Sequence, residues 1–97
     1  MIVLIARYYV KPGKMDEALA AFAEAVPLVR ANEPQCSRYE INRSTEDPNL
    51  ILIDERYADM DAVDVHRSTP HFEEIIKGKI WPLLDKRVAE FYETVIE

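Results

Sequence analysis

The segment Ile2-Val3-Leu4-Ile5-Ala6-Arg7-Tyr8-Tyr9-Val10-Lys11 constrains this chain more than any other, because it alternates like a strand yet has no fully polar side. Ile2, Leu4, Ala6, Tyr8 and Val10 point one way, and Val3, Ile5, Arg7, Tyr9 and Lys11 the other. A strand with one polar face can cover a core from one side and meet water on the other. Near its start this one needs a layer against each face, which predicts a sheet packed between its own helices and something further.

The later periodicities supply those helices and three more strands. After the turn Pro12-Gly13-Lys14, apolar Met15, Leu19, Phe22, Val26 and Val29 recur every three or four residues, which predicts an amphipathic helix over 15–32. Pro27 lies inside it and removes one backbone donor, so a kink or a tight last turn is expected there. Glu33-Pro34-Gln35 closes the helix, and 36–43 reads as a strand with Tyr39, Ile41 and Arg43 on one face. A hairpin loop over 44–49, centred on Asp47-Pro48-Asn49, leads to a third strand over 50–57, where Ile51, Ile53, Glu55 and Tyr57 share a face. Asp59 or Asp61 caps the next helix, Phe72, Ile75, Ile76 and Ile80 carry a further helical segment loosened by Gly78, and 87–96 alternates again.

The order is strand, helix, strand, strand, helix, strand in a single domain over 1–97. It predicts a ferredoxin-like α+β fold, βαββαβ, with a four-stranded antiparallel sheet and two helices on one face. The uncovered face is then expected to show Val3, Ile5, Tyr9, Ile51, Ile53 and Tyr57, a larger apolar patch than a monomer tolerates. A two-fold homodimer through that face is expected, with a pocket between sheet and helices.

Charge and composition exclude other classes. With 18 acidic against 12 basic residues and a net charge of −6, most of the surface repels a phosphate backbone, and no basic stripe offsets this. Nucleic acid is therefore not an expected partner. No apolar run reaches the roughly 18 residues of a membrane span, and the first residues lack a signal-peptide pattern, so a cytoplasmic protein is expected. The single cysteine, Cys36, permits no internal disulfide and reads as a small buried apolar group.

Both histidines fall beside one break. Thr69 precedes Pro70 and is biased away from helical dihedrals, whereas proline is favoured at a first helical position; one helix should end near Ser68 and another begin. His66 then lies near a helix end and His71 in the first turn of the next. The pairing fits either a working site or a helix joint with half-buried histidines. On a continuous helix the two would stand about 140° apart, so a metal site is not expected from their spacing.

Pro12-Gly13-Lys14, Glu33-Pro34-Gln35-Cys36, Arg38-Tyr39-Glu40, Asp47-Pro48-Asn49, Glu55-Arg56-Tyr57 and Ser68-Thr69-Pro70-His71-Phe72 together resemble the antibiotic biosynthesis monooxygenase superfamily, across nearly the whole chain. The resemblance implies a dimeric α/β barrel. It also implies one of several chemistries: cofactor-independent oxidation of quinols or anthrones, haem degradation, isomerisation of a phosphorylated sugar, or ligand binding without catalysis. Gln35 replaces a more usual glycine, and Tyr57 stands where tryptophan is common. At the positions that resemble the haem-degrading constellation this chain carries Arg7, Tyr57 and Ile75 or Ile76, and an aliphatic side chain cannot ligate iron.

Cofactor-free oxygenation of a small aromatic molecule asks for a base, a stabiliser of the anion and a dry pocket. His66, framed by Val63 and Val65, is the expected base, and His71 a neutral acceptor or structural cap. Arg7 is expected either to stabilise an oxyanion or to form a rim salt bridge to Glu55. Tyr57, Phe72 and Trp81 are candidates for sandwiching a ring, Tyr9 and Ile53 for lining the pocket, and Glu55 for orienting a histidine. An isomerase would need a basic phosphate cradle, for which Arg7, Arg43 and Arg67 are the candidates.

Overall fold

The computed structural model describes residues 1–97. Strand β1 (Ile2–Val10) is followed by helix α1 (Met15–Asn32), strands β2 (Cys36–Arg43) and β3 (Leu50–Tyr57), helix α2 (Met60–Arg67), helix α3 (Phe72–Ile80), a short 3-10 turn (Trp81–Leu83) and strand β4 (Leu84–Glu93). The strands form one antiparallel sheet in the order β2-β3-β1-β4, the ferredoxin-like arrangement expected from the chain order. No helix is long and apolar enough to cross a membrane.

Local chemistry explains the boundaries. Gly13 takes φ +83 at the turn after β1, a conformation that costs a residue without Cβ little. Helix α1 runs through Pro27 to Asn32; Pro27 is exposed, so the carbonyl it leaves without a donor on that side can be met by water. In the hairpin loop the Ser44 hydroxyl accepts from the backbone N–H groups of Glu46 and Asp47, and Asp47 accepts from that of Asn49. Of the two candidate caps for α2 the protein uses Asp59, whose carboxylate accepts from the Ala62 N–H at 2.9 Å. Strand β4 begins three residues before the alternating pattern and stops at Glu93.

Pairing corrects the expected face of β3. Ile2 lies opposite Tyr57, Leu4 opposite Glu55, Ala6 opposite Ile53 and Tyr8 opposite Ile51, and directly paired residues share a face. Ile51, Ile53 and Tyr57 are therefore in the core beneath the helices, each fully buried. The open face carries Val3, Ile5, Arg7 and Tyr9 with Leu50, Leu52, Val88 and Tyr92. Both sets on β3 begin with apolar residues, so alternation separates the sets without saying which is covered. The open face is still apolar over much of its area, with Leu50 and Leu52 in place of the isoleucines.

The main core lies between the sheet and helices α1 and α3, where Phe22, Val29, Ile51, Ile53, Ile76 and Ile80 are almost wholly buried. A smaller cluster of Leu4, Tyr57, Ala62 and Val63 sits under α2. Helix α3 is wound as a π-helix, an uncommon form that widens each turn. A Cβ built on Gly78 would lie 3.2 Å from the Glu73 carbonyl oxygen, five residues back. In an ordinary helix Gly→Ala stabilises by about 1 kcal/mol, or several degrees in a domain this size. Here the crowding cancels the gain: Gly78→Ala is expected to leave the thermal midpoint unchanged or lower, as read by circular dichroism melting.

Candidate functional site

Three chain segments bring their polar groups to one buried point. Glu33 caps the C-terminal end of α1, where the helix dipole gives a carboxylate no help. His66 comes from the last turn of α2, and His71 precedes α3 directly. Thr69 fixes the joint between them, donating its hydroxyl to the His66 carbonyl at 2.8 Å and accepting the Phe72 N–H at 3.2 Å. Because the helix breaks at this joint, the two imidazoles converge instead of standing apart as on a continuous helix. His66 Nδ1 lies 2.8 Å from Glu33 Oε1, and His71 Nε2 lies 2.6 Å from Glu33 Oε2.

The carboxylate fixes both tautomers. Burial alone would raise the Glu33 pKa, but hydrogen bonds from His66 and His71 outweigh it and hold the group below its ordinary value of 4.5. Glu33 is thus ionised at neutral pH and only accepts, so the facing nitrogens, Nδ1 of His66 and Nε2 of His71, each carry a proton. Its charge stabilises the fold above the ordinary carboxylate range, and that contribution fades as the pH falls through the depressed value. The lone pair of a neutral His66 is then at Nε2, on the side of Glu55, whose Oε1 is 3.9 Å away.

Glu55 shifts the other way. Burial pushes its pKa up to about 7, against the opposing effects of the Tyr57 hydrogen bond and the charges of His66 and Arg67. The Tyr57 hydroxyl donates to Glu55 Oε1 at 2.5 Å, and burial followed by the nearby Glu55 charge drives the phenol far above its ordinary range. Glu55 and His66 both line a cavity of about 410 Å³, a volume within the usual range of small-molecule sites. Its walls are Tyr8, Tyr39, Phe72 and Trp81, and its mouth carries Arg67, Glu73, Lys77 and Arg87. The Trp81 indole donates to the Tyr8 hydroxyl at 3.1 Å, and Phe72 meets Trp81 edge to face at 5.8 Å.

The structure thus brings together His66, Glu55, Phe72 and Trp81 at the cavity, with His71 behind His66. It does not bring Arg7 there. Arg7 points from the open face of the sheet and pairs with Glu90, so neither expected role, oxyanion stabiliser of this cavity or partner of Glu55, applies. Tyr9 lies on the same open face, and its ring is covered by Lys86 at 5.4 Å. Ile53 is in the core below. Tyr57 is wholly buried behind Glu55, its ring 5.6 Å from that of His66, so it acts on the cavity through those groups and not as an aromatic wall. The strand face assigned by alternation alone caused all of these misplacements.

Glu33, Tyr8, Tyr39 and Arg87 are the residues that sequence reasoning missed. Glu33 had a signal, an acid at a helix C-terminus where the dipole disfavours it. Arg87 pairs with Tyr8 across β1 and β4 and so shares the covered face, which no local pattern shows. Glu33, His66 and His71 also form the set that could hold a divalent ion, their ligating atoms lying within 4.8 Å of one another. In the present arrangement one carboxylate and two imidazole N–H groups satisfy each other. The Cys36 thiol, pushed up to about 11 by burial and then by Glu33 and Glu55, stays protonated.

The chain is thus an α+β protein of ferredoxin-like fold with a titratable pair at an aromatic-walled cavity. The chain belongs to the antibiotic biosynthesis monooxygenase family, whose model matches residues 1–78. It is 31% identical over 88 residues to Rv0793 of Mycobacterium tuberculosis (strain ATCC 25618 / H37Rv), named as a candidate monooxygenase, covering 91% of this chain and 84% of that one. It is 34% identical over 80 residues to YcnE of Bacillus subtilis (strain 168), named likewise, covering 81% and 83%. The crystal structure of a candidate antibiotic biosynthesis monooxygenase from Caulobacter crescentus CB15 superposes with a TM-score of 0.91 at 30% identity, covering 98% of this chain and 90% of that one.

The Glu55 shift gives a stability test. Its folded pKa of about 7 stands above the ordinary 4.5, so the folded state holds a proton that the unfolded chain gives up, and stability falls as the pH rises through this window. Glu55→Gln keeps a neutral polar side chain throughout. It is expected to exceed the native protein in stability by about 3 kcal/mol at pH 8.5, with the difference closing only as the pH falls below the ordinary carboxylate value, by about pH 4, as measured by urea denaturation.

Proposed function

We propose that the protein is a cofactor-independent monooxygenase that oxidises a small electron-rich aromatic, a quinol or anthrone, with dioxygen. The observation that carries this reading is His66, with Nδ1 tied to an ionised Glu33 and Nε2 left toward an aromatic-walled cavity that Glu55 also lines. A base held in one tautomer by a buried carboxylate is suited to removing a proton from a phenol or an activated methylene.

The steps balance without any other redox partner. His66 Nε2 takes the substrate proton, and the resulting anion gives one electron to dioxygen. The organic radical and superoxide combine into a carbon–oxygen bond, forming a peroxide. For an anthrone, loss of water from the peroxide turns the methylene into a carbonyl: one oxygen atom enters the product and the other leaves as water, with both hydrogens supplied by the substrate. Glu55, with a pKa of about 7, is placed to pass protons to and from His66. Tyr8, pushed up to about 12 chiefly by burial, and Tyr39, held well above its ordinary value by the same cause, stay protonated as neutral walls.

The working form in this reading is a homodimer that covers the open sheet face, where Val3, Ile5, Leu50, Leu52 and Val88 would otherwise meet water. Oxygen uptake with a panel of quinols and anthrones tests the chemistry. Uptake above the uncatalysed rate is expected, falling about 10²–10⁴-fold in His66→Ala; no uptake, or an unchanged rate in the variant, sinks the oxygenase reading. Multi-angle light scattering tests the assembly. Twice the chain mass of 11.2 kDa is expected, and a single-chain mass at all concentrations contradicts the dimer.

A further inference from the structure

The mouth of the cavity carries charge of the sign opposite to the protein as a whole. Arg67, Lys77 and Arg87 line it, although the chain has six more acidic than basic residues. Lys77 is matched, 3.5 Å from Glu73, the one acid at the mouth. Arg67 and Arg87 belong to none of the ion pairs of the chain. Each rests instead on an aromatic ring: Arg87 has its guanidinium carbon 3.5 Å from the centre of Trp81, and Arg67 lies 5.3 Å from the centre of Phe91.

An aromatic ring holds a guanidinium by its face and consumes none of its N–H donors. Both forks are therefore positioned yet free to take a planar anion in bidentate fashion. The Trp81 ring beneath Arg87 is itself part of the cavity lining, so an aromatic ligand held in the cavity would bring a substituent on its ring within the reach of that guanidinium. The number of free charges bears on the kind of anion. Two guanidiniums remain once Glu73 has answered Lys77, and Glu55 lies inside the same cavity, which disfavours a dianion.

We propose that the ligand is an aromatic acid, a hydroxylated ring bearing a carboxylate, with the ring inside the aromatic-walled cavity and the carboxylate at its mouth on Arg87 and Arg67. The inference rests on the reading of this cavity as the substrate site and narrows that substrate to a singly charged class. It also assigns Arg67 and Arg87 a specificity role, separate from the proton transfer given to His66 and Glu55.

Binding under nitrogen separates this inference from the oxygenase reading, since no turnover is involved. Calorimetric titrations of the native protein at pH 7 and low salt would use 1-hydroxy-2-naphthoate, 1-naphthol and 1-naphthyl phosphate. The carboxylate is expected to bind about tenfold or more tightly than the naphthol, and more tightly than the phosphate. In the double variant Arg67→Gln/Arg87→Gln, checked for an unchanged circular dichroism spectrum, the carboxylate and the naphthol are expected to bind alike. Equal binding of the two by the native protein, no binding of either, or a preference that survives in the variant would overturn the proposal. Tighter binding of the phosphate would overturn it in favour of a phosphorylated ligand. A carboxylate preference together with absent oxygen uptake would uphold this ligand class while sinking the oxygenase.

Discussion

The Glu33 carboxylate, buried between two imidazoles, is the contact on which the site depends. It ties the end of α1 to the joint between α2 and α3, and the charge it retains sets which nitrogen of each histidine bears a proton. A carboxylate at this depth is costly unless its oxygens are occupied, and two N–H donors at 2.6 and 2.8 Å occupy them. The same contact explains the break at Thr69-Pro70. A continuous helix would turn one histidine away from Glu33, whereas the hydroxyl of Thr69 closes the joint locally and lets both side chains face the same group.

The cavity follows from how three helical segments share four strands. Helices α1 and α3 pack over the centre of the sheet, and α2 sits against β3, so the covered-side residues of β4 receive no helix and Arg87, Ala89 and Phe91 remain exposed. The space beside them is bounded by Phe72 and Trp81 and floored by His66 and Glu55. Opposite pKa shifts then coexist in two acids on either side of His66. Glu33 has two donors and stays charged, while Glu55 has one phenol and burial and titrates near neutrality. Environments that push apart the pKa values of neighbouring acids are the usual basis for dividing acid and base roles.

The residues that misled and those that did not differ in a consistent way. His66, His71 and Phe72 were found because they sit within or beside a helix break that proline and threonine announce locally. Arg7, Tyr9, Ile53 and Tyr57 were misplaced because their assignment needed the face of one strand to be matched to the face of another. Strand alternation has a period of two and is symmetric between faces; a β3 that begins Leu50-Ile51-Leu52-Ile53 offers an apolar set to either side. Only the register, Ala6 opposite Ile53 and Tyr8 opposite Ile51, breaks that symmetry.

The order and kind of the elements, the break between the histidines and the need of β1 for a layer on each face were determined by the sequence alone, because each rests on contacts between residues close in the chain or on a single periodicity. Which face of β3 is buried, that Glu33 meets residues 33 and 38 positions away, and that Arg87 joins the cavity were decided only by the tertiary structure. The physical reason is that these depend on strand pairing and helix packing between distant segments, where the position of a side chain is set by its partners and not by its neighbours in sequence.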